Sequence, residues 1–277
     1  MSIAFNQLDQ ANDKDLLLVD ATNLAFRWKH SGAKQFAESY QQTVASLARS
    51  YKCGKIILAA DWGSSAYRKA ISPSYKGNRE ELRAKQTEKE AEDFKEFFQE
   101  FENALFQVPW PVLKYKGVEA DDIIAYICKY KTDLNINNIW IISSDKDLDL
   151  LISEGVNRFS YVTRKECTID NWPYDFEIDK YATYKSLVGD TGDNVAGVPG
   201  IGPKRATSLI EQYGDVFDII DQIPLSGNSK FIQNLNSSEE TLYTNMQLMD
   251  LLSYCEDAIG VENCSEIFDK TKEYINE

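Results

Sequence analysis

Nine acidic residues fall in five segments of the chain: Asp20; Asp61; Glu119, Asp121 and Asp122 in GVEADDIIAYI; Asp145 and Asp147 in SSDKDLDLL; and Asp190 and Asp193 in GDTGDN. One carboxylate is enough to cap a helix, because it accepts hydrogen bonds from the unpaired amides of the first turn and suits the positive end of the helix dipole. Three acids in four positions ahead of an apolar helical run exceed that need. On that helix, positions 119 and 122 share a face while Asp121 points about 100° away from Asp122, so only part of the cluster can face one ion directly. Asp145 and Asp147 are two residues apart just past a strand end, a spacing that lets alternate side chains point into one site. Asp149 continues the spacing into the following helix, where a capping or solvated role suffices. An Asx turn accounts for one of Asp190 and Asp193.

Two carboxylates ~5 Å apart at an effective dielectric near 20 repel by roughly 3 kcal/mol, so gathering even part of this set requires cations. Hard divalent ions such as Mg2+ or Mn2+ prefer oxygen ligands, and the chain offers no His/Cys cluster for zinc. His30 is the sole histidine, and Cys53, Cys128, Cys167, Cys255 and Cys264 are scattered without a C-x-x-C. A disulfide framework is therefore not expected, and any catalytic triad would have to pass through His30.

Three runs position these acids: LLLVD (16–20), KIILAAD (55–61) and NIWIISSD (138–145), each ending in aspartate. They are nearly continuously apolar, as strands covered on both faces are. Helical patterns at 36–51 and 120–130 lie between them, which predicts an α/β fold with a mainly parallel central sheet flanked by helices. Ligands of such sheets bind outside the carboxyl ends of the strands. The stretch from 78 to 106 is charged and free of Gly and Pro, and its first part lacks an apolar face. That predicts a helical element projecting from the body, an arch over about 75–107. Beyond about 180 the chain turns to short helices and glycine turns. The expected organisation is a first domain over 1–180 and a helical second region over 181–277.

The 277 residues, 43% hydrophobic and 27% charged, suffice for a sizeable core. No run reaches the ~18 apolar residues of a membrane span and the first residues lack a signal pattern, so a cytoplasmic protein without a membrane partner is expected. A net charge of −14 argues at first against a polyanionic partner. Setting aside the nine site acids leaves −5, and bound divalent ions would offset part of the site itself. Two local features supply positive charge. SYKGNR places Tyr75, Lys76 and Arg79 beside a glycine, suited to clamping a phosphate and stacking a base. GVPGIGPKRA is a glycine hairpin, with Gly197, Gly200 and Gly202, leading into a helix start with Lys204 and Arg205. Free amides there can hold a phosphate without reading a base.

The ordered set VDATN, SYKGNR, GVEADD, SSDKD, GDTGDN and GVPGIGPKRA resembles the 5′-nuclease or flap endonuclease family, in particular the bacteriophage 5′-3′ exonucleases and the related domain of bacterial DNA polymerase I. The match runs from about 16 to 214. The resemblance implies a helical arch, a helix-three-turn-helix element at about 185–214, two Mg2+ ions for which Mn2+ may substitute, and monomeric action on DNA with 5′ ends, flaps or single/double-strand junctions. It further implies Asp61, Glu119, Asp121, Asp145 and Asp147 around one ion, and Asp190 and Asp193, helped by Asp147, around the other. Asp20 and Asp122 would act through water. Lys76, assisted by Arg79, would contact the scissile phosphate, Tyr75 would stack, and Lys185, Lys204 and Arg205 would grip the duplex backbone. A ribonuclease of the acidic-sheet type and a noncatalytic DNA-binding protein are the alternatives. The first needs no glycine hairpin, and the second leaves the acids without a purpose.

Overall fold

The computed structural model describes residues 11–277. Six strands, β1 (Asn12–Asp20), β2 (Cys53–Ala59), β3 (Val112–Leu113), β4 (Asn138–Ile142), β5 (Val156–Ser160) and β6 (Lys165–Cys167), form one sheet in the order β3-β2-β1-β4-β5-β6. All neighbours are parallel except β5 and β6. The three apolar runs are its central strands. Their continuity has a direct cause: Leu16 and Leu18 face one apolar cluster with Ile57, Ile123 and Ile141, while Leu17 and Val19 face a second with Leu58, Trp28 and Phe101. Alternate side chains leave opposite faces of a strand, so a sheet covered twice needs apolar residues at every position.

The second face is covered by α1 (Ala21–Ser31), α2 (Ala37–Ser50) and the inner half of α5 (Glu88–Gln107), and the first by α6 (Ala120–Lys129). Between β2 and α5 lie α3 (Ala66–Ile71) and α4 (Gly77–Ala84). The charged stretch is therefore two helices, not one. Thr87 breaks it by capping α5: its hydroxyl accepts from the Glu90 amide (3.3 Å) while Glu90 accepts from the Thr87 amide (2.8 Å). The T-x-x-E spacing of this capping box was present in the sequence. Helix α4 buries no residue, whereas α5 buries Phe97, Phe101, Ala104 and Leu105.

The remaining chain forms α7 (Tyr181–Val188), the short antiparallel pair β7 (Gly189–Asp190) and β8 (Val195–Ala196), α8 (Pro203–Tyr213), α9 (Val216–Asp221), α10 (Lys230–Asn236), α11 (Glu239–Met249), α12 (Leu251–Ile259) and α13 (Val261–Asn276). These helices continue the cluster that covers the first face of the sheet, with Leu187, Leu209, Leu242 and Ile267 in contact with it. The last helix closes the circuit: Lys55 on β2 donates to the Tyr274 carbonyl at 2.9 Å. Asp149 neither caps nor meets solvent. It is buried in a short 3-10 helix and accepts from Nε of Arg158 on β5 at 2.6 Å. Among the described residues no helix is long and apolar enough to cross a membrane.

Because α5 buries Phe101 while α4 buries no residue, Phe101→Ala should lower unfolding free energy by about 3–5 kcal/mol, whereas Leu82→Ala on α4 should change it by no more than ~0.5 kcal/mol. Urea denaturation followed by far-UV circular dichroism separates the two. Equal small losses would show that α5 is not part of the core.

Candidate metal centre

The acids assemble where the parallel strands end. Asp20 closes β1 and caps α1, accepting from the Asn23 amide at 3.0 Å and the Ser143 hydroxyl at 2.8 Å. Asp61, two residues beyond β2, accepts from the Ala120 amide at 2.8 Å and so ties the strand end to the start of α6. Ser143 follows β4 directly and also receives the Asp145 amide at 3.1 Å. Asp145 in turn accepts from the Asp147 amide at 2.9 Å, which folds this pair into one tight turn.

The later segments bring the rest. The loop between β7 and β8 is shaped by Asp190, which accepts from the amides of Gly192 (2.7 Å) and Asp193 (3.1 Å). Asn78 at the arch base donates to the Thr191 carbonyl (2.9 Å), Asn194 donates to the Ser74 carbonyl (2.8 Å), and the Lys76 amide donates to the Asp193 carbonyl (2.9 Å). The arch base and this loop are therefore one unit. A small cavity of about 20 Å3 is lined by Glu119, Asp121, Asp147, Asp190 and Asp193 together. Larger clefts exist, such as a groove of about 750 Å3 beside β6, but none of the nine site acids lines that groove. Convergent chemistry, rather than size, marks the site.

Two family descriptions fit the chain in sequence: "5'-3' exonuclease, N-terminal resolvase-like domain" matches residues 15–177 and "5'-3' exonuclease, C-terminal SAM fold" matches residues 176–268. The flap endonuclease of Escherichia phage T5 is 42% identical over 270 residues, 95% of this chain and 92% of that protein. The chain belongs to the 5′-3′ exonuclease family. The solved bacteriophage T5 flap endonuclease, in a pseudo-enzyme-product complex with DNA and metal ions, superposes with a TM-score of 0.89 at 41% identity, covering 95% of this chain and 100% of that one. T5 5′-exonuclease with bound zinc gives 0.88 at 42% identity, covering 94% and 99%.

In this member of the 5′-3′ exonuclease family, cations of the protein itself stand among the acids. Lys76 reaches Glu119 at 2.9 Å and Asp193 at 3.7 Å, and Arg79 reaches Asp193 at 2.7 Å. Lys185 bridges Asp147, at 2.6 Å, and Asp190. As the side chains lie, no three acidic, histidine or cysteine groups among the described residues are gathered to hold an ion. The donor set nevertheless fits a hard divalent cation. It is all oxygen, and burial together with neighbouring Asp61 and Asp145 pushes the Asp20 carboxyl up to about 8. Burial and Asp145 push Asp147 up to about 6 against the pull of Lys185. Burial, then Asp145, Asp20 and Asp61, drives Asp121 well up. Burial also raises Asp61. For Glu119 burial is outweighed by Lys76 and Arg68, which keep it below its ordinary value, and for Asp190 by Lys185 and the two amides.

Four expectations change. Asp122 is not placed to act on an ion through water, since both its oxygens receive the Arg68 guanidinium, at 2.7 and 2.8 Å, and it is wholly buried. Arg68, 2% exposed, also lies 3.6 Å from Glu119 and donates to the Leu248 carbonyl of α11 at 2.8 Å. Nothing in SSAYRKAI distinguishes this arginine from a surface one, so its role was not readable from sequence. Tyr75 cannot stack on a base: it is 3% exposed and donates to Glu119 and Asp193, each at 3.0 Å. Lys185 lies in the acid cluster rather than on an outer face. Gly197 owes its lack of a side chain to packing, because a Cβ there would come within 2.2 Å of the Val188 carbonyl. Gly200, Gly202, Lys204 and Arg205 do lie at the surface or partly open to it, around the start of α8.

The raised carboxyls set a pH dependence for the metal-free protein. Asp20 moves from 3.8 when unfolded to about 8 when folded, so the folded state binds more protons. The stability this contributes is complete below the lower value and lost as pH rises through the upper one. In EDTA the thermal midpoint should fall between about pH 5 and 8, and Mg2+ should flatten the fall. A midpoint that climbs across that range in EDTA would contradict the electrostatic reading.

Proposed function

We propose that this chain is a structure-specific 5′-3′ exodeoxyribonuclease and flap endonuclease. It acts on DNA with 5′ ends, flaps or single/double-strand junctions and uses two Mg2+ ions, with Mn2+ as a substitute. Asp61, Glu119, Asp121, Asp145 and Asp147 would hold one ion, and Asp190, Asp193 and Asp147 the other. When bound, such ions activate water for in-line attack and stabilise the leaving oxygen, which yields 5′-phosphate and 3′-hydroxyl ends.

The chain's own residues do the rest. Asp20 sets the strand ends by holding Ser143 and the Asn23 amide, and so acts on the cluster from behind. Tyr75 locks Glu119 to Asp193. Lys76 sits in the left-handed region at φ 54°, a conformation that turns its side chain into the cluster from the arch base. An arriving phosphate can take over its ammonium, and the partly exposed Arg79 can follow. Lys204, Arg205 and the hairpin amides would hold the duplex backbone. The single observation that carries this reading is the shared cavity of Glu119 and Asp121 with Asp147, Asp190 and Asp193 beside Lys76.

Purified protein should release a labelled 5′ flap in Mg2+ and not in EDTA. Asp145→Ala and Asp190→Ala should each lower the rate by two orders of magnitude or more, and Lys76→Ala by about 10²–10³-fold in kcat, the scale of losing one charge-stabilising donor. Undiminished cleavage in EDTA would remove the metal from the account, and full activity in Asp145→Ala would remove the site.

A further inference from the structure

The hairpin between β8 and α8 is gripped from two sides. On the inner side Val198 and Ile201 are buried, and the Val198 amide donates to the Leu187 carbonyl at 2.9 Å. On the outer side the partner is α10, part of the segment IIDQIPLSGNSKFIQNLNSSEE, which carries none of the nine site acids. The Arg205 guanidinium lies over the Phe231 ring, 4.5 Å from its centroid, and donates to the Gly200 carbonyl. Gly200 turns at φ +85° against Phe231, where an added Cβ would stand 3.4 Å from the Phe231 Cβ. Asn234 donates to the Pro199 carbonyl at 2.7 Å. Helix α10 is itself fixed: Leu235 is wholly buried, and Asn236 makes hydrogen bonds to both the amide and the carbonyl of Leu225, at 2.8 and 2.9 Å.

We infer that Phe231 and Asn234 are positioning residues for DNA, setting the hairpin and Arg205 in the form that receives a backbone phosphate while touching no nucleotide themselves. The inference rests on the proposed reading that Arg205 meets the duplex backbone. Two physical effects support it. Arg205 is exposed, and a free arginine loses rotamer freedom on binding, whereas one already lying on an aromatic face loses less. The carbonyls of Pro199 and Gly200 at the hairpin tip would repel a phosphate, and the Asn234 amide and the guanidinium neutralise them. The hairpin thus presents amides and positive charge to a passing strand.

The test is binding of a fluorescent flap duplex by anisotropy, in Ca2+ and over a KCl series, with the thermal midpoint of each variant recorded. Arg205→Ala should weaken binding and lower the salt slope by about 0.9, the value of one phosphate contact. Phe231→Ala should weaken binding about fivefold with the slope kept, because Arg205 still reaches the phosphate at a higher entropic cost, and add nothing in the Arg205→Ala background. Phe231→Leu keeps the apolar contact and should shift affinity in the same direction at an unchanged midpoint. If Phe231→Ala leaves affinity unchanged while Arg205→Ala lowers both affinity and slope, or if the two losses add fully, the positioning role is wrong. If Arg205→Ala itself changes neither, the reading beneath it fails and the inference falls with it.

Discussion

Mutual repulsion among carboxylates is the constraint on which this molecule turns. Parallel strands deliver Asp20, Asp61 and Asp145 to one edge of the sheet because all three strands end there, and α6 adds Glu119 from the position before its start and Asp121 from its first turn. Such a cluster is unfavourable unless positive charge is interleaved. Lys76, Arg68 and Lys185 provide it, and each does so from a different part of the chain: the arch base, the helix before it and α7. The counter-charges therefore double as ties between separate elements of the chain.

The consequences reach beyond the site. Arg68 satisfies Asp122 and Glu119 and also donates to the Leu248 carbonyl, so the acid cluster is continuous with the C-terminal helices. A buried guanidinium with one partner removed would be strongly destabilising; here each of its three nitrogens donates a hydrogen bond, two to Asp122 and one to the Leu248 carbonyl, with Glu119 3.6 Å away. Burial works against its charge, but Asp122 outweighs burial and keeps the guanidinium firmly protonated. Lys76 and Arg79 draw Asp193 and its loop to the arch base. Substrate phosphates would meet the same cations, which makes the linkage between arch and acids responsive to DNA in the proposed function.

Much of this was legible in the sequence. The doubly covered sheet follows from unbroken apolar runs, and the strand-end aspartates follow from the rule that ligands bind at the carboxyl edge of such sheets. The family motifs placed Lys76 and the 190–193 loop. What remained hidden depends on tertiary partners. Arg68 and Asp122 form a pair across 54 residues with no local signature, and Tyr75, an aromatic in a polar loop, reads as exposed until Glu119 and Asp193 are seen to close on its hydroxyl. The three-residue β6 and the two-residue β3, β7 and β8 are too short to carry periodicity. The break before α5 was readable from Thr87 and Glu90, and the long charged run around it obscured that signal.

In the proposed function the acids would hold two linked cations, one at the strand ends and one at the loop between β7 and β8. Mn2+ titration followed by electron paramagnetic resonance of the free ion counts them directly. Saturation is expected at two ions per chain, and at one in the Asp190→Asn/Asp193→Asn double variant, without DNA present. A single saturable ion in the unaltered chain, or the same count in the double variant, would contradict it.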